Sequence, residues 1–234
     1  MMPEIKIDKA DYAILYFVSE DQWPAWLLLT EQTMAGLNRF WPGLPAQELT
    51  QHFFALWNQG FIECAEDEDL PAIAPDFELA RQQFEFDYSL SDRPQSNLLT
   101  YRLSPAGGEI WASYAGVDWS KFYCSWYDSG RNEFRLSASD RKAIELALQL
   151  RTISPLPIPG TEQWEVLGSW QATYWKVLPA GHRISYRYES WPCAPSPYNE
   201  EQFRTCQKLW QEFAPYWSGW YKHFNEVCKE HFGG

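Results

Sequence analysis

The chain has 234 residues, 31 Asp or Glu against 19 Lys or Arg, and a formal net charge of −12. That length admits one large domain or two small ones and a substantial core. The charge excludes nonspecific attraction to nucleic acid or to an anionic membrane and suits a basic partner. Trp occupies 14 positions, and aromatic side chains bury large areas while asking partners for their N–H and O–H groups.

The start, Met1-Met-Pro-Glu-Ile-Lys-Ile-Asp8, lacks the basic, apolar and small-residue sections of a secretory signal. The run Tyr12 to Val18 is too short to span a bilayer. The five cysteines, Cys64, Cys124, Cys193, Cys206 and Cys228, are irregularly spaced and read as free thiols of a reducing compartment. A cytoplasmic protein is expected.

Residues from Asp8 to Phe40 read as helical, although Tyr12 to Val18 fits a buried helix or a buried strand. Pro24 suits a first helical position, followed by a loose stripe of Leu27, Leu28, Thr30, Met34 and Leu37. Trp41-Pro42-Gly43 is a turn. Leu49, Phe53, Leu56 and Trp57 then line one helix face, and Gly60 stands where a left-handed cap is needed. Phe61 to Cys64 reads as a strand. From Ala65 to about Glu85 the chain forms an acidic loop, and Phe84-Glu-Phe-Asp-Tyr88 alternates as an extra strand would. Leu98 to Leu103 returns as a strand, Ser104 is a helix N-cap and Pro105 the first helical residue. Ile110, Trp111 and Tyr114 form the inner face of the helix that follows.

The order from Gln47 to Tyr114, with Leu-x-x-x-Gly-Phe-Ile, a wing, and Tyr-Arg-Leu-Ser-Pro-Ala-Gly, resembles winged-helix regulators of the MarR and PadR type. The resemblance implies that the helix ending before Gly60 reads DNA and that the wing contacts its backbone. Yet no Lys or Arg occurs between Arg39 and Arg81, so that helix has nothing to neutralise a phosphate and the wing would meet like charge.

After Ala115 the pattern turns to β. Lys121 to Tyr127 and Phe134 to Leu136 flank Asp128-Ser-Gly-Arg131, a hairpin signal. Ser139 to Leu150 reads as a short helix. Ser154-Pro-Leu-Pro-Ile-Pro-Gly160 is extended and reads as a linker or domain edge. Trp164 to Leu167, Trp170 to Leu178 and Arg183 to Glu189 are expected strands. The last has Ile184, Tyr186 and Tyr188 on a buried face, Ser185, Arg187 and Glu189 on a wet one. Asn199 and Gln202 resemble a capping box. Phe203, Cys206, Trp210, Phe213, Trp217, Trp220, Phe224 and Val227 follow at helical spacing, with Pro215 set to kink or split the helix.

The expected fold is therefore α+β. A winged-helix-like helical region with an acidic wing covers residues 1–116, and a β-meander with a long aromatic C-terminal helix covers 117–234. The two are expected to pack as one body. No cofactor and no metal site is expected. Ala65 to Pro71 lacks the alternating oxygens and glycine of a calcium loop, and Cys228 with His231 lacks a second ligand pair. Gly168-Ser169-Trp170 and Ala138-Ser139-Asp140 lack the Gly-x-Ser-x-Gly context of a serine nucleophile, and none of His52, His182, His223 and His231 adjoins an obvious partner. The reading is a non-enzymatic binding protein, an immunity- or antitoxin-like inhibitor of a basic, nuclease-type protein. Its partner-binding residues are Glu63, Glu66, Asp67, Glu68, Asp69, Asp76 and Glu78. The alternative is a winged-helix transcriptional regulator holding DNA through Arg81, Arg93 and Arg102.

Overall fold

A computed structural model describes residues 6–19, 21–29, 43–66, 71–85, 99–150, 153–189 and 200–233. The fold is α+β, and the chain divides into two compact units, Met1–Gly116 together with His223–Gly234, and Val117–Lys222.

In the first unit the ambiguous apolar run is helix α1, Lys9–Phe17. Asp8 starts it with a reciprocal capping box, its carboxylate accepting from Asp11 N–H while the Asp11 carboxylate accepts from Asp8 N–H. Tyr12 to Val18 are all buried, as an all-round apolar helix must be. The second helical piece, expected to start at Pro24, does not start there. Trp23–Pro24 is a short strand, β1, and Ala25–Leu29 is a 3₁₀ turn. Pro24 sits on a sheet edge, where its missing N–H costs nothing. The stripe positions Thr30, Met34 and Leu37 and the turn at Trp41-Pro42 lie outside the described residues.

Helix α2, Ala46–Asn58, buries Leu49, Phe53, Leu56 and Trp57, together with Thr50, whose hydroxyl bonds back to Ala46 O. Gly60 closes it at φ +74°, its N–H donating to Trp57 O while Phe61 N–H donates to Leu56 O. Strand β2, Ile62–Ala65, pairs antiparallel with β3, Thr100–Leu103, which also pairs with β1, so the sheet order is β1-β3-β2.

Between β2 and β3 the strand expected to begin at Phe84 is overturned at Phe84 and Glu85. Phe77–Glu85 is helix α3, and its buried Ala80, Gln83 and Phe84 fall at helical spacing. Three alternating aromatics, Phe84, Phe86 and Tyr88, suggest the strand. The Asp76 carboxylate, which accepts from Leu79 N–H at 3.0 Å, starts a helix instead. Residues 86–88 and the capping position Asn199 lie outside the described residues.

Helix α4, Pro105–Ala115, begins as expected, with Ser104 Oγ accepting from Gly107 N–H and Pro105 in its first turn. The C-terminal tail, helix Phe224–Val227 and a π turn Cys228–Phe232, lies on the same unit: Phe224 stacks on Tyr12, and Phe232 stacks on Tyr114.

The second unit is built on a four-stranded antiparallel sheet of order β4-β5-β9-β6. Its strands are Tyr123–Asp128 (β4), Glu133–Ala138 (β5), Gln163–Leu167 (β6) and Gly181–Arg187 (β9). The span expected as one strand from Trp170 to Leu178 is a ribbon of two short strands, Trp170–Gln171 (β7) and Val177–Leu178 (β8), because Ala172 N–H turns back to Lys176 O.

Phe134 lies opposite Tyr186 and Leu136 opposite Ile184 on the buried face. Arg135 opposite Ser185 and Ser137 opposite Arg183 line the other face. Helices α5, Arg141–Gln149, and α6, Glu200–Trp217, supply the rest of that core, with Ile144 and Phe213 at its centre. The proline run is not a domain edge. Ser154 Oγ donates to Ala147 O and Tyr186 OH donates to Pro155 O, so the run is strapped across this unit. Helix α6 ends two residues after Pro215, with Ser218 and Gly219 N–H returning to Ala214 O.

Candidate partner-binding surface

The net charge is not spread evenly. Residues 1–116 and 223–234 hold 20 of the 31 acidic side chains and 7 of the 19 basic ones, and residues 117–222 hold the other 11 and 12. The whole negative excess therefore belongs to the first unit.

The segment from β2 to α3 carries much of it, and its carboxylates fall into two groups. Three are already matched. Glu63 lies directly opposite Arg102 in the β2–β3 ladder and accepts from its Nε at 3.0 Å, the kind of cross-strand pair that stabilises a sheet. Glu78 accepts from Arg81 Nε at 2.9 Å, and Arg81 also reaches Glu85. The Arg81 hydrogen bond, helped by Gln82, holds the Glu78 carboxyl below its ordinary range.

Two others face solvent without a cation. Glu66, at the end of β2, is exposed and makes no ion pair among the described residues. Asp76 is exposed at the start of α3, where it bonds only backbone. Asp67, Glu68 and Asp69 lie outside the described residues.

An apolar side chain interrupts this acidic stretch. Phe77 stands between Asp76 and Glu78, is 45% exposed, and meets Phe54 of α2 edge to face with ring centroids 5.3 Å apart. Exposed aromatics held rigidly by a neighbour are the residues that anchor protein interfaces. Sequence reading passed over Phe77 because it reads equally well as core. Its one distinguishing mark is that both its neighbours are acidic.

A second cluster joins distant residues. His52 Nδ1 lies 2.9 Å from Asp11 Oδ1 and 3.8 Å from Asp8 Oδ1, and the three donor atoms could hold a cation. The same groups already serve one another, since both carboxylates form the α1 capping box and His52 bonds Asp11. Cys228 is buried and His231 packs on Tyr114; neither belongs to a metal-competent group among the described residues. No helix among the described residues is long and apolar enough to cross a membrane.

The chain matches no protein-family model, no curated protein and no solved structure.

Proposed function

We propose that this is a non-enzymatic, cytoplasmic binding protein whose acidic first unit docks a basic protein, in the manner of an immunity or antitoxin inhibitor of a nuclease-type partner. The observation that carries the reading is the confinement of the whole negative excess to one unit. A one-sided field steers a cationic partner towards that side and raises the encounter rate. Glu66 and Asp76 supply charge free to meet cations, and Phe77 supplies an apolar anchor among them. A partner whose basic surface is built for phosphate would be occupied by such a patch. Affinity capture by the tagged chain from its own host, with and without nuclease treatment, tests this. A basic protein is expected to remain, and recovery of nucleic acid instead would reject the reading.

A second reading has its own support. The order β1-β3-β2, with α2 leading through Gly60 into β2, is the arrangement a winged helix would have, and α3 would then lie within its wing. Against DNA binding, the exposed residues of α2 are Gln47, Glu48, Gln51 and Asn58, with no cation among them. Fluorescence anisotropy with a labelled duplex separates the two. Tight, steeply salt-dependent binding would put the regulator first.

A further inference from the structure

The second unit holds a cavity of about 640 Å³ that plays no part in the partner-binding reading. This size suits a small organic ligand. Its apolar side is formed by Leu178, Pro179 and Ala180 at the end of the β7–β8 ribbon. That side is rigid, because Trp170 Nε1 donates to Ala180 O at 2.9 Å. Gly181 lies so close beneath the indole that any Cβ there would come within 2.5 Å of it.

The polar side comes from β9 and from the junction of β5 with α5: His182, Ser139, Asp140 and Arg141, with Lys121 across from them. In the sheet register His182 lies opposite Ala138, next to Ser139.

The hydrogen-bond accounting on this side is incomplete. His182 is half-buried and makes no hydrogen bond or ion pair among the described residues. Asp140, by contrast, is fully used: Oδ1 accepts from Lys142 N–H at 2.9 Å and Oδ2 from Tyr216 OH at 2.7 Å. Its negative charge is turned towards these donors. Lys121 and Arg141 each face a carboxylate, Asp118 at 3.1 Å and Glu145 at 2.8 Å. Both pairs are solvent-exposed and so worth little, and the Arg141 guanidinium also lies over the Trp164 ring, 4.5 Å from its centroid. The walls therefore carry an uncommitted imidazole, the satisfied Asp140 carboxylate and two cations held only in exposed pairs with Asp118 and Glu145.

We infer that this cavity binds a small organic anion, a carboxylate or a phosphate ester, with its charged group against His182, Lys121 and Arg141 and its apolar body against Leu178 and Pro179. Buried polar groups without partners are rare and mark places where something else completes them. Half-buried His182, beside the cations, is such a group.

The inference stands independently of the partner-binding reading and is tested on the full chain by two-dimensional NMR titration. The probes are benzoate and phenyl phosphate, with benzyl alcohol and benzylamine as neutral and cationic matches of the same size. One of the anions is expected to give saturable shifts at the His182 ring and the Arg141 amide, at least about tenfold tighter than either control. The stronger anion tells a carboxylate from a phosphate ester. The double variant Lys121→Gln with Arg141→Gln is expected to lose about tenfold of the anion's affinity while its melting temperature holds. Equal binding of anion, alcohol and amine, shifts confined to residues away from the cavity, or no saturable shift with either anion would each overturn the inference. The wild-type ranking decides the matter even if the double variant does not fold.

Discussion

Replacing Gly107 by alanine tests how the first unit is held together. Gly107 lies in the first turn of α4, packed against the chain where α2 gives way to β2. A Cβ built there would stand 1.8 Å from Phe61 O, 2.7 Å from its carbonyl carbon and 3.0 Å from its Cα. All three are backbone atoms, so no side chain can rotate away. Ordinary contact needs about 3.5 Å, and α4 would have to retreat by about 1.5 Å. That retreat strains two bonds at the same junction, Ser104 N–H to Phe61 O at 3.0 Å and Ser104 Oγ to Gly60 O at 2.5 Å. Overpacking costs about 1–3 kcal/mol, and each weakened hydrogen bond adds roughly 0.5–1.5 kcal/mol. Gly107→Ala is therefore expected to destabilise by about 2–6 kcal/mol, or roughly 4–24 °C in Tm for a protein of this size. Urea and thermal unfolding followed by circular dichroism measure it. Gly168→Ala is the control, since nothing lies within 4 Å of its Cβ, and it is expected to stay within about 0.5 kcal/mol of wild type. If Gly107→Ala unfolds where wild type does, the close approach of α4 to Phe61 is wrong.

The other expectations concern the second unit. Phe213 is fully buried and meets Tyr123 edge to face at 5.1 Å. Phe213→Ala is expected to cost about 3–5 kcal/mol in denaturant unfolding, and Trp217→Ala, with that ring 49% exposed, much less. Burial, reinforced by the Asp140 carboxylate, pushes the Tyr216 hydroxyl up from 10.0 to about 12. A folded-state value above the unfolded one means that the unfolded chain loses this proton first as pH rises. The stabilising contribution is then whole below pH 10 and is lost between 10 and about 12. Stability measured across that window is expected to fall less steeply in Tyr216→Phe than in wild type, and an unchanged slope would deny the Tyr216–Asp140 contact.

What the sequence made legible was local. The α2 face, the left-handed Gly60 and the Ser104-Pro105 helix start each depend on residues within one or two turns, and each stands in the structure. The alternation at Ile184 and Tyr186 is likewise the buried face of β9, and Tyr188 just past its end is buried as well. Short patterns misled where two periods fit the same few residues. Phe84, Phe86 and Tyr88 suggested a strand, while Ala80, Gln83 and Phe84 line a helix. Proline alternation suggested a linker, while the hydroxyls of Ser154 and Tyr186 bind that run to the second unit. What could not be read at all was long-range assembly. His52 meets Asp11 across 41 positions, Tyr216 meets Asp140 across 76, and the matching of Glu63 by Arg102 depends on strand register. The acidic segment was legible as charge, but which carboxylates remain free was not. Ladder and helix partners consume Glu63 and Glu78 and leave Glu66 and Asp76.

The central claim is that the acidic first unit steers and holds a basic protein. The measurement that tests it most directly is the association rate of the captured partner with wild type and with Glu66→Lys, Asp67→Lys, Glu68→Lys and Asp69→Lys combined, at low and at physiological ionic strength. Steering by this charge requires the wild-type rate to fall as salt rises and the variant's rate to be lower by about tenfold or more at low salt. A variant that associates as fast as wild type, with the same salt dependence, would contradict the claim.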